Sequence, residues 1–301
     1  MGGGNLGTSG LGGSFVGRFK ERRYSLTLRR FWKSKMGVLG LLSILSFAFL
    51  ALLAPVIDSK PGLLRPGERL TPPLESASYL LGTDSLGRNL LGLICWGARS
   101  AFTVIISASA ISTSIGVVLG LVAAYYGGAV DSVIIKIIDI LLCIPEFFLI
   151  LLAVSMFHQQ TLTVVILTLA IFSWMDVSRV VRSAVLSIRE LPYVKAARLS
   201  GASDARIMFL HILPNALSPI IVIMALRMGD FIMTETGLTF IGLGDPNVIS
   251  WGKTVNEGFQ TLRVAPWVGT FTGLAIFLLT LGFNLLGDGL RDALDVKQRL
   301  T

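Results

Sequence analysis

The chain has 301 residues, 53% of them hydrophobic and only 15% charged, with a formal net charge of +8 and a mean hydropathy of +0.74. Soluble domains carry about 25% charged residues, so this composition excludes an ordinary water-soluble globule. Two cysteines, Cys95 and Cys143, fall in different environments and imply no disulfide framework.

The chain opens on MGGGNLGTSGLGGS, a Gly-rich stretch of low complexity, and continues with Arg18, Lys20, Arg22 and Arg23 into a basic tail over 1–35. RRFWK at 29–33 before an apolar run faintly resembles a twin-arginine export signal. The run that follows is longer than the roughly 7–15 residues of a signal core, and five more follow it, so it reads as a first membrane anchor over 36–57. Apolar runs at 38–56, 101–125, 133–157, 162–175, 219–236 and 268–286 give six spans. Most reach the roughly 17–25 residues that a bilayer core requires. The fourth is short unless its helix continues into the arginines beyond it. The fold class is therefore all-α: a polytopic membrane protein with six transmembrane helices and a cytoplasmic loop carrying short helices.

With the N-terminus inside, seventeen Lys and Arg fall on the cytoplasmic side and seven outside. That bias places both termini in the cytoplasm, in a cell membrane. The positive charge is thus topological, and no nucleic acid is expected.

The segment 58–99 lies outside and is broken by Pro61, Pro66, Pro72 and Pro73. Its second half, LLGTDSLGRNLLGLICWGARS, is neither a simple span nor a simple loop. From 100 to 287 runs a five-helix core. Gly116 and Gly120, four residues apart in span two, let a second helix approach closely, within this chain or on a partner. Pro145 and Glu146 lie deep in span three, where an ionisable group usually faces a bundle interior or an aqueous cavity. Lys136 can pair with Asp139, and Arg227 with Asp230, at i, i+3. Glu146 has no partner at helical spacing, which makes it the candidate pathway residue.

Catalytic chemistry is missing. The nearest approach to a phosphate-binding loop, Gly252-Lys253-Thr254, has Asn247 where the first glycine belongs and falls on the outer side. His158 and His211 are the only histidines, with no local metal motif. No G-x-S-x-G elbow is present. The chain reads as no enzyme, with no cofactor and no metal.

The loop over 179–214 is the most sharply punctuated stretch. Pro192 suits the first turn of a short helix, which Gly201 closes in a left-handed conformation. Ser203 and Asp204 cap a second short helix running through His211 to a stop at Pro214. Ala196 and Ala197 give the first helix a small face, and Tyr193, Val194 and Leu199 leave apolar surface without an owner in this chain. Short exposed helices are marginal alone and gain stability in a partner's groove. The alternative is a hairpin resting on lipid.

Lys195-Ala196-Ala197, Gly201 and His211-Ile212-Leu213-Pro214 resemble the coupling-loop signature of binding-protein-dependent ABC importer permeases, E-A-A-x-x-x-G followed by I-x-L-P. Lysine stands where that signature has glutamate, and histidine where it has isoleucine. LLGTDSLGRNLL at 80–91, with Gly82, Thr83, Asp84, Gly87 and Arg88, is similar to the outer segment of the oligopeptide, dipeptide and nickel branch. FIGLG at 240–244, SWG at 250–252 and GDGLRDALD at 287–295 match it too. The resemblance implies a heterodimer with a second homologous permease, two cytosolic ATPase subunits, an extracytoplasmic solute-binding protein, and peptide import. It implies that Tyr193, Lys195, Ala196, Ala197, Gly201, Ser203, Asp204, His211, Leu213 and Pro214 couple to the ATPase. The outer-segment residues would face the binding protein. A nickel or other small-solute importer is the alternative within the class. An ion-coupled secondary transporter using Glu146, Asp139 and Arg227, or a membrane scaffold, is the alternative outside it.

Overall fold

The computed structural model describes residues 28–64, 68–75, 78–157 and 159–294. The tail over 1–27, residues 65–67 and 76–77, His158 and the tail over 295–301 lie outside the described residues. Among those described the chain is helical, with one isolated antiparallel bridge between Thr83 and Asn89.

The first span, α1 (Lys35–Ile57), starts where the Ser34 side chain accepts from the Gly37 N–H at 3.3 Å. Gly37, Gly40, Phe47, Ala51 and Ala54 are buried, while Leu39, Leu45, Phe49 and Leu52 are exposed. An apolar helix with one small-residue stripe buried and leucines outside is a lipid-facing anchor. It packs on α9 (Pro266–Leu294) and on α2 (Leu90–Tyr126).

Helix α2 is 37 residues long, about 55 Å at 1.5 Å per residue, and overshoots a bilayer core of about 30 Å. It starts at Asn89, whose side chain accepts from the Leu91 N–H. The helix therefore claims residues 90–99 of the expected outer segment. Gly116 and Gly120 meet this chain's own fourth span. A Cβ at Gly120 would come within 2.5 Å of the Ser178 carbonyl, and one at Gly116 within 2.7 Å of Val177.

The third span is broken. Helices α3 (Gly128–Leu142) and α4 (Glu146–Ser155) meet at an 80° bend. Pro145, at the break, has no N–H to donate and biases Ile144 away from helical geometry. The fourth span does continue into the arginines: α5 (Leu162–Ile188) is 27 residues long, with the backbone leaving helical geometry at Ser173, φ −98° and ψ 2°. Ion pairs tie it to α3, from Arg182 to Asp131 at 2.5 Å and from Arg179 to Asp139 at 2.5 Å. The second pair corrects the expected Lys136–Asp139 pairing, since a neighbouring helix brings Asp139 a guanidinium.

After α6 (Pro192–Leu199), α7 (Asp204–Phe240) runs on through a π turn into the fifth span. Pro214 was expected to stop a short helix, and it does not. A π turn over Ile207–Ile212, closed by the Leu213 N–H on the Met208 carbonyl, breaks the ordinary ladder just before the proline. The missing proline N–H falls where that ladder is already interrupted, so the helix continues. Helix α8 (Trp251–Gln260) lies between α7 and α9.

Candidate functional site

The hairpin around Gly201 is built as its punctuation suggests. Pro192 opens α6. At the far end the Gly201 N–H donates to the Arg198 carbonyl at 3.1 Å and the Ala202 N–H to the Ala197 carbonyl at 3.2 Å. That bond pair requires a left-handed residue between them, and Gly201 has φ +76°. Ser203 then caps α7, accepting from the Arg206 N–H. Asp204 accepts from the Tyr125 hydroxyl at 2.6 Å, and the Arg198 guanidinium lies 5.3 Å over the Tyr125 ring. Val194, Ile207, Met208 and Ile212 are buried against Leu121, Tyr125 and Val181. The apolar surface of Val194 thus has an owner within this chain, which corrects the expectation for that residue.

What stays outside is a different set. Leu199 is 90% exposed and Leu210 65%, with Tyr193 and Ala196 also at the surface. Lys195 forms an exposed ion pair with Glu190 at 3.1 Å. The lysine holds the Glu190 carboxyl below its ordinary value. His211 and Leu213 are half-buried within α7, and the His211 carbonyl accepts from the Asn215 side chain. Pro214 is exposed, so the expected coupling residues divide into a packed root and an open crown.

The segment around Asp84 is organised in the opposite sense. Gly82, Thr83, Asp84 and Gly87 are buried. Asp84 accepts from the Leu86 and Arg88 N–H groups at 2.9 and 2.8 Å, and from the Arg88 Nε at 2.6 Å. Arg88 reaches on to Glu257 in α8 at 2.5 Å. Burial alone would lower the Arg88 pKa, but the two carboxylates outweigh it and raise it. The Trp267 indole donates to the Thr83 carbonyl, and the Trp251 indole, from the SWG motif, donates to the Ile94 carbonyl at 2.9 Å. These residues knit the segment to α2, α8 and α9. Their side chains are taken up by contacts within this chain, so they shape the segment's surface rather than lie open on it. Glu257 also lines a cavity of about 440 Å³ together with Gly242, Lys253 and Asn256.

Glu146 does have a partner, 81 residues away. Arg227 of α7 binds it at 2.5 Å and also reaches Asp176 and Asp230, each at 3.3 Å. The Ser173 hydroxyl donates to the same carboxylate at 2.5 Å. The Arg227–Asp230 pairing is as the spacing suggests. Asp176 escaped sequence reasoning, although a lone carboxylate midway along a spanning helix was the signal that could have found it.

The geometry can now be set beside known proteins. The family described as the binding-protein-dependent transport system inner membrane component matches residues 116–300. The chain belongs to this family. It is 39% identical to the dipeptide transport system permease protein DppC of Alkalihalophilus pseudofirmus, over 89% of this chain and 88% of that one. It is 42% identical to the glutathione transport system permease protein GsiD of Pectobacterium atrosepticum, over 74% of each. Its identity to the oligopeptide transport system permease protein OppC of Bacillus subtilis is 34%, over 90% of this chain and 88% of the other. Among solved structures, the inward-facing MetNI methionine ABC transporter superposes with a TM-score of 0.55 at 17% identity, over 67% of this chain and 97% of that chain. At that identity the likeness concerns the fold. This inner membrane component is thus a multi-pass membrane protein with a transport permease fold.

Proposed function

We propose that this chain is one of two transmembrane subunits of an ATP-driven importer, and that its cargo is peptides handed over by an extracytoplasmic solute-binding protein. The observation that carries the reading is the inner hairpin. Its root is locked to α2 through Tyr125 and Val194, and its crown, led by Leu199, is open. The names of the relatives, which specify dipeptide, oligopeptide and glutathione transport, support peptides as cargo. Family membership sets aside the ion-coupled and scaffold alternatives.

The mechanism follows from connectivity. A cytosolic ATPase grips Leu199, Tyr193 and Ala196. Short connections join α6 to α5 on one side and to α7 on the other, so displacing α6 displaces two spans together. Closure of an ATPase dimer thereby tilts the helices that carry Asp176 and Arg227. ATP shifts the equilibrium between inward and outward states only through contacts that differ between them, and the hairpin is where they differ. Both termini lie in the cytoplasm, consistent with the basic charge there. On the outer face, α8 and the exposed rim of the knitted segment receive the binding protein.

The test is reconstitution with the second permease, two ATPase subunits and the binding protein, comparing the unsubstituted chain with Gly201→Val. Valine is strained at φ +76°, so the hairpin turn distorts. The expected result is normal membrane insertion with ATP hydrolysis no longer driving peptide uptake. Unimpaired ATP-driven uptake by the variant overturns the coupling scheme.

A further inference from the structure

A second cavity, of about 250 Å³, opens at the root of the hairpin, where α2, the end of α5 and α6 meet. Gly127 and Gly128 turn the chain directly from α2 into α3, so Tyr125 and Tyr126 sit where two spans end. Aromatic side chains with a polar tip are favoured at that depth, between hydrocarbon and water. Tyr126 is 54% exposed, and its hydroxyl has no hydrogen-bond partner among the described residues. One turn further on, Val130 and Val133 are exposed apolar side chains.

The remaining walls are cationic, with Arg189, Lys195 and Arg198 all lining the cavity. Arg189 caps the end of α2 by donating to the Ala124 carbonyl, and its Nε lies 3.4 Å from the Glu190 carboxylate. Lys195 reaches the same carboxylate at 3.1 Å. Arg198 makes no ion pair among the described residues, its guanidinium lying over the Tyr125 ring. The nearby carboxylates are otherwise engaged: Asp204 accepts from the Tyr125 hydroxyl at 2.6 Å, and Asp131 pairs with Arg182 at 2.5 Å. Three cations therefore share one carboxylate, and the Glu190 side chain, 61% exposed, has solvent to swing into.

The chemistry of these walls selects an anion. Guanidinium forks and an ammonium beside a tyrosine hydroxyl are donors suited to phosphate oxygens. Glu190 already seats an anionic group between Arg189 and Lys195. The position of the cavity favours a lipid over a partner's side chain. Val194 and Arg198, four residues apart, set the side of α6 that faces the cavity and the spans, whereas Tyr193 and Ala196 of the exposed crown fall on the other side. Basic pockets between spanning helices at the membrane surface hold anionic headgroups.

We propose that this cavity binds the phosphate of an anionic phospholipid, with Lys195 and Arg198 as its principal donors, Tyr126 at its rim and Glu190 as the carboxylate that the phosphate displaces. The lipid fastens the root of α6 to the bilayer and leaves the crown open. The site needs neither cargo nor ATPase.

The experiment uses the purified full-length chain, delipidated in a neutral detergent, with phosphatidylglycerol, phosphatidylcholine and inorganic phosphate as probes and lipid retention read by native mass spectrometry. Phosphatidylglycerol is expected to be retained about tenfold over phosphatidylcholine. The double variant Lys195→Gln, Arg198→Gln lowers that preference about tenfold. Glu190→Gln enlarges it, because the competing carboxylate is gone. Equal retention of the two lipids by the unsubstituted chain overturns the proposal, as does a preference that the double substitution leaves unchanged. Inorganic phosphate displacing the lipid would assign the cavity to free phosphate and overturns the lipid source. Unchanged lipid preference together with loss of the ATPase subunits from the double variant's complex would assign the cations to that partner instead. If the double variant does not fold, Glu190→Gln decides alone, and a preference no larger than in the unsubstituted chain overturns the proposal.

Discussion

The segment around Asp84, expected to lie outside, and the hairpin around Gly201, expected to lie inside, both stand out in the sequence, and they resolve in opposite ways. The outer motif turns inward: Asp84 and Thr83 are fully buried, with Asp84 bonded to two backbone N–H groups and a guanidinium. The hairpin turns outward, with Leu199 at 90% exposure on a helix whose other face is packed. A residue pattern that departs from its apolar surroundings marks a demand on the chain, and burial tells whether the demand is internal or comes from a partner. The same contrast separates changes expected to unfold the protein from changes expected to disconnect it.

The largest stability effect belongs to the outer motif. Asp84→Ala strips Arg88 of one of its two carboxylates and leaves two backbone N–H groups without an acceptor. Breaking a buried, hydrogen-bonded charge pair from one side costs about 3–5 kcal/mol. The variant is expected to show a clearly lowered thermal midpoint in detergent, whether or not an ATPase is present. An unchanged midpoint would mean that the outer segment is dispensable to the fold, and the contrast with the hairpin would fail.

Gly201→Val comes next. A left-handed conformation costs a residue with a Cβ roughly 1–2 kcal/mol, and a β-branched side chain is the least tolerant of it. Nothing else crowds the position, since a Cβ there meets no atom within 4 Å. The midpoint is expected to fall less than in Asp84→Ala, while coupling of ATP hydrolysis to uptake is lost.

A smaller, pH-dependent effect sits at the far end of the outer network. Burial pushes the Glu257 carboxyl above its ordinary value, with Arg88 only partly opposing it. The folded state therefore holds this proton more tightly than the unfolded state does. The associated stability is present at pH values below about 4.5 and is lost as pH rises through the folded pKa. In Glu257→Gln that slope is expected to disappear from a plot of midpoint against pH. A slope that survives would assign it to another group.

How much of this was legible in the sequence follows from the kind of interaction involved. The span pattern, the Gly201 turn and the Ser203 cap are local, set by residues within a few positions of one another. The Gly116 and Gly120 face was readable as a contact, but its occupant, Ser178 on α5, was not, because small residues state how close a neighbour comes and not which one. Long-range pairs were beyond reach. Glu146 looked unpartnered because its partner is 81 residues away, and Asp139 looked paired to Lys136 because helical spacing ranks near neighbours first. Pro214 misled for a subtler reason: the π turn that accommodates it has no sequence signature of its own.

The smallest stability effect tests the other side of the contrast. Leu199→Asp removes an apolar side chain that is almost entirely in solvent, so the isolated chain loses little packing. Surface substitutions of this kind usually stay within about 0.5 kcal/mol. The thermal midpoint of the purified subunit is expected to match that of the unsubstituted chain. Binding should respond differently, because an aspartate carboxylate buried in a partner's apolar groove has no compensating charge there. The ATPase subunits are accordingly expected to fall away during affinity purification of the complex. Arg198, Leu199's neighbour, is held over Tyr125, so the change leaves the root of the hairpin in place. An intact complex carrying Leu199→Asp would show that the open crown is not the gripping surface, and that the partner holds the hairpin by its packed root instead.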